Sequence, residues 1–93
     1  MLLDLVKDHL KITWEDEDFQ LINIIERAKA SLNKLVDAEL DYEEPGPAQD
    51  LLINRCRYDY NNALEYFEQN FAREILRLQL QVAAEEVSTD GGA

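Results

Sequence analysis

Apolar residues recur at alternating intervals of four and three along most of this chain, and one segment breaks that helical rhythm outright. Leu21, Ile25, Ala28, Leu32 and Leu35 form one seam, widened by Phe19, Ile22 and Val36. The spacing predicts a helix over about 15–38, packed nearly parallel or antiparallel to a neighbour. Ile53, Cys56, Tyr60, Ala63 and Phe67 form a second seam, with Leu52 and Leu64 alongside, and predict a helix over 47–69. Between them, Asp41-Tyr-Glu-Glu-Pro-Gly-Pro47 cannot be helical, because two prolines flank a glycine. Pro47 is well placed for the first turn of the next helix.

The ends follow the same logic. Leu2, Leu5, Val6 and Leu10 lie on one side of a short helix over 2–10. Thr13, three residues before Asp16, nearly matches a capping box, and the acids at 15–18 complement a helix dipole, so this run reads as a helix start. Asn61-Asn62 is a weak point in propensity that tertiary packing is expected to override. Asn70 marks a brief interruption, a further helix covers 71–87, and 88–93 reads as a flexible tail. The expected fold is all-α, one domain over residues 1–87. It is a small bundle of two long antiparallel helices with a short N-terminal helix and a C-terminal helix.

That C-terminal helix has two apolar stripes. Phe71, Ile75, Leu78 and Val82 fall on one line, and Leu76, Leu80, Ala83 and Val87 on another, about 140° away at 100° per residue. Arg73 and Arg77 are among the residues of the polar face. A terminal helix of a small bundle needs one stripe for its own core. Either the helix is central and packed on both sides, or the second stripe meets a neighbouring subunit or partner.

Charge narrows the partners. Twenty acidic residues against nine basic ones leave −11, which disfavours tight binding to nucleic acid or anionic membrane. The loop bearing Asp41, Glu43 and Glu44 is the most acidic stretch for its length. A lone cysteine excludes an intrachain disulfide. The N-terminal apolar run is interrupted by acids and lacks a basic leader, and no apolar run is long enough to span a membrane. These features predict a cytoplasmic chain, or part of an assembly built in a cytoplasm.

Catalytic chemistry finds no footing. His9 is the single histidine, between Asp8 and Leu10, and Cys56 falls on an apolar seam, where a buried thiol is the ordinary reading. From Glu15, the fifth and sixth positions of a calcium loop would be Phe19 and Gln20, so that match fails. No phosphate loop, CxxC or HExxH is present. No cofactor or metal is expected, and the chain reads as a non-enzyme.

The order of motifs resembles the head–tail connector (adaptor, head-completion) proteins of tailed bacteriophages. The resemblance rests on Leu5-Val-Lys7-Asp-His-Leu10-Lys11-Ile12, the acids at 15–18, the long helix through Leu35, and the aromatic end Tyr66-Phe67-Glu68-Gln69-Asn70. It spans roughly residues 3–82. It implies a homo-oligomeric ring, usually twelve-fold, that docks on the portal protein after DNA packaging and extends the DNA channel. The ring also offers a platform to a tail-completion protein. The site would be the virion's head–tail junction, with DNA passing through without specific binding. Leu76, Leu80, Ala83, Val87, Arg73 and Arg77 are then the candidate subunit or portal interface. Asp41, Glu43 and Glu44 are the candidate channel or rim loop, where negative charge keeps DNA from adhering. The alternative is an acidic binding module, a DNA-mimic inhibitor or antitoxin-like protein acting on a basic partner.

Overall fold

In the computed structural model, the backbone of residues 2–92 and the side chains of residues 2–85 are described. Helix α1 (Leu2–Leu10) turns Leu2 and Val6 inward, four residues apart and so on one face. Lys11 ends it in the left-handed conformation, φ 61°. The Ile12 and Lys11 amides reach back to the carbonyls of Lys7 and Asp8 at 2.9 and 3.2 Å, and Ile12 drops into the core.

Helix α2 (Asp18–Val36) buries Leu21, Ile24, Ile25, Ala28, Leu32 and Val36. Two expectations fail at its start. The helix begins at Asp18, with Glu17 at the cap position and no side-chain capping bond, so Thr13 and Asp16 do not form the anticipated box. Two of the acids act as clasps. Asp18 pairs with Lys7 of α1 at 2.6 Å, and Glu17 accepts hydrogen bonds from the Trp14 indole and the Tyr60 hydroxyl, both at 2.8 Å. Phe19 and Ile22 also do not widen the buried stripe: they are 79% and 43% exposed. Helical geometry explains this, because Phe19 lies about 160° round from the middle of the seam.

Helix α3 (Pro47–Tyr60) starts at Pro47 as expected and buries Leu51, Leu52 and Cys56. The expected continuous helix to residue 69 is broken. Asn62 takes the left-handed conformation, φ 58°, and the Ala63 and Asn62 amides return to the carbonyls of Tyr58 and Asp59. Asparagine tolerates that conformation well, so the weak point becomes a helix stop rather than being overridden. A 3₁₀ turn (Leu64–Tyr66) and a one-turn helix α4 (Phe67–Asn70) follow. They bring Phe67 back against Tyr58 and Phe71, with ring centroids 5.9 and 5.0 Å away. Helix α5 (Ala72–Gly92) then lies along α2 and α3, tied by the Gln79 side-chain amide donating to the Leu35 carbonyl at 2.9 Å. The tail expected over 88–93 falls on residues whose side chains lie outside the described set, and the helical backbone runs over it to Gly92. The fold is all-α, with no strand among the described residues.

The connection between α2 and α3 is pinned by polar contacts. Asp37 stops α2 in the left-handed conformation, and Asn33 Oδ1 then accepts from the Leu40 amide at 3.1 Å and from the buried Tyr42 hydroxyl at 2.7 Å. Gln49, itself buried, donates to the Tyr42 carbonyl at 3.0 Å. Asn33→Ala strands the Leu40 amide and leaves the Tyr42 hydroxyl only the Lys29 carbonyl at 3.5 Å, and is expected to destabilise the protein by about 1–3 kcal/mol. Urea denaturation gives the loss, and faster hydrogen exchange at the Leu40 amide locates it. A change within ~0.3 kcal/mol would show that Asn33 does not pin the loop.

Candidate assembly surface

The two stripes of α5 have different surroundings. Ile75, Leu78 and Val82 are buried and Phe71 half-buried, so this line faces the home core. Leu76 and Leu80, 54% and 61% exposed, and Ala83, also exposed, face away from it. Within this chain, then, α5 is not a central helix packed on both sides. Val87 lies outside the described side chains. Arg73 and Arg77, exposed on the same side as Leu76 and Leu80, form no ion pair with any described residue. The result is an apolar strip with a basic border.

Asp41, Glu43 and Glu44 are exposed on the pinned loop, where Asp41 Oδ1 caps the Glu43 amide at 3.0 Å. Tyr42 between them is buried, which fixes the loop while its carboxylates stay in solvent. A cleft of about 350 Å³ runs between this loop and α5, with Asp41, Glu44 and Glu85 along it. It continues past Pro47, Leu78 and Gln81 into one of about 440 Å³ between α3 and α5. There Asp50 and Glu74 face a floor of Leu51, Phe71 and Leu78, with Arg77 as the cation. The loop acids and the α5 strip therefore border different surfaces, apart from Arg77, which reaches this furrow.

A second exposed apolar set escaped the sequence reading. Trp14, Phe19 and Ile22 are 47%, 79% and 43% exposed at the N-terminal end of α2, next to the exposed acids Glu15 and Asp16. The signal was present in helical angle: Ile22 sits about 100° from the centre of the buried arc, and Phe19 lies farther round still.

The remaining chemistry-bearing residues are dispersed. Cys56 is fully buried, and burial pushes its thiol up to about 12. His9 is exposed on α1, whereas Cys56 is sealed in the core. Tyr60 is held above its ordinary value by donating to Glu17. Among the described residues, no group of three His, Cys, Asp or Glu is placed to hold a metal ion, and no helix is long and apolar enough to cross a membrane. Comparison with known protein families, curated proteins and solved structures finds no match to this chain.

Proposed function

We propose that this chain is a structural, non-enzymatic subunit of a tailed-phage or prophage head–tail connector. It forms a homo-oligomeric ring at the head–tail junction of the virion, assembled in the bacterial cytoplasm. It docks on the portal protein, extends the DNA channel and receives the tail-completion protein. The observation that carries the reading is the uncovered strip Leu76, Leu80 and Ala83 with its arginine border, since soluble monomers seldom leave such side chains in a row. In this reading α2 and α3 are the antiparallel pair at the heart of each subunit. The loop of Asp41, Glu43 and Glu44 lines the channel or its rim, its negative charge keeping duplex DNA from adhering.

Electron microscopy of the protein bound to a phage portal assembly is the test. Closed rings stacked on the portal are expected, and Leu76→Asp with Leu80→Asp is expected to abolish them. Failure of the wild-type chain to bind any portal offered, with no rings of its own, would sink the reading.

A second reading has its own observation. Asp41, Glu44, Asp50 and Glu74 border one furrow and none forms an ion pair with a described residue, which is the electrostatic face an inhibitor of a basic protein presents. Tight, salt-sensitive binding to a DNA-binding enzyme in the absence of rings would favour it.

A further inference from the structure

Among the described residues, four of the exposed large apolar side chains form two sets of opposite surrounding charge, with Leu5, Trp14 and Tyr66 lying outside them. At one end of α2 are Phe19 and Ile22, one turn apart, beside Glu15 and Asp16, neither of which forms an ion pair with a described residue. On α5 are Leu76 and Leu80, also one turn apart, bordered by Arg73 and Arg77. The two sets are well separated. Gln79, next to Leu80, bonds the Leu35 carbonyl near the C-terminal end of α2, while Phe19 lies at the other end, roughly 24 Å away at 1.5 Å per residue.

We propose that copies of this chain associate head to tail, the Phe19–Ile22 patch of one copy seating on the Leu76–Leu80 strip of the next. This rests on reading the chain as a self-assembling subunit, and it assigns the second contact surface, which lies outside α5 altogether. Charge selects the pairing. A two-fold contact of either patch with its own copy brings acids against acids or arginines against arginines, whereas the unlike contact brings Glu15 and Asp16 toward Arg73 and Arg77. Both patches pair one-turn-spaced large apolar residues, so each presents a ridge the other can receive. An unlike contact leaves one free patch of each kind on any open chain, so association continues past the dimer, ending in a ring where the rotation between copies closes.

Two variants test it. Phe19→Asp disables one patch and Leu80→Asp the other; both side chains are largely exposed, so circular dichroism and melting temperature are expected to stay close to wild type. In sedimentation velocity, wild type is expected to pass beyond the dimer as concentration rises, and to shift several-fold toward monomer as salt is added. Each variant alone is expected to be monomeric. An equimolar mixture is expected to give a heterodimer and nothing larger, because one variant retains the basic patch and the other the acidic one. Variants that assemble like wild type, a mixture that stays monomeric, or a wild type that halts at a dimer would each overturn the contact. A wild type that stays monomeric at millimolar concentration would overturn it too, yet leave portal docking standing, because the portal experiment reads that separately.

Discussion

Phe67→Ala is expected to destabilise the protein by about 3–5 kcal/mol, the range for removing a buried aromatic ring from a packed core. Phe67 is 1% exposed, lies 5.0 Å from the ring of Phe71, and meets Tyr58 nearly edge-on. It also begins α4, a helix of one turn that has no means of holding itself without a tertiary anchor. Losing the ring therefore opens a cavity and releases the segment that returns the chain to α5. A domain of this size holds on the order of 5–14 kcal/mol in total, so the variant is expected to melt about 15–30 °C lower. Tyr66→Ala, one residue earlier and 55% exposed, is the control and is expected to change stability by ~0.5 kcal/mol or less. Urea and thermal denaturation of the pair decide the matter: equal losses would show that the aromatic cluster is not the anchor.

The second large effect is alkaline. Burial raises Cys56 from its ordinary 9.0 to about 12, and raises Tyr42 from 10.0 to about 12. Both folded-state values lie above the unfolded ones, so the folded protein binds more protons between them. Stability is therefore fully present below about pH 9 and declines as pH rises toward 12. Each fully responding group contributes a slope of about 1.4 kcal/mol per pH unit, so the decline steepens above pH 10, where Tyr42 joins Cys56. Urea midpoints measured across this window are expected to fall, and in Cys56→Ala the fall is expected to begin about one unit later. A midpoint that holds level to pH ~11 would mean that neither group is sealed from water. The same burial predicts that thiol reagents leave Cys56 untouched until the protein unfolds.

Much of this architecture is legible in spacing alone. The seam of Leu21, Ile25, Ala28 and Leu32 is buried, Pro47 opens α3, and the helical class follows from the four-three rhythm. What periodicity does not carry is where a helix stops. Asn61-Asn62 looks like a propensity defect within a longer seam, because whether an asparagine turns left-handed depends on what Ala63 and Phe67 can reach by turning back. The same limit applies to the acids at 15–18. The helix dipole favours a helix start there, while Lys7, Trp14 and Tyr60, remote in sequence or irregular in backbone, recruit two of those carboxylates, Glu17 and Asp18, as clasps. For α5, two stripes are visible in the sequence, but the inward one is decided by α2 and α3. Phe19 illustrates a simpler limit: its hydrophobicity suits the seam, but its helical angle turns it to solvent.

Three of the helix endings share one construction. Lys11, Asp37 and Asn62 each take a left-handed conformation, at nearly equal intervals along the chain, and in each case the following residue, Ile12, Ala38 or Ala63, sends its amide back to the helix just finished. None of these corners uses glycine, the residue that takes this conformation most readily. Divergence can therefore exchange the corner side chains freely among glycine, asparagine and the present residues, while Val6, Leu52 or Phe67 tolerate little change. What descent would preserve in a distant cousin is the register between corners and core, a pattern of distances along the chain rather than a string of identities. Kinship of that kind shows itself by aligning turning points, even where too few letters survive to be compared.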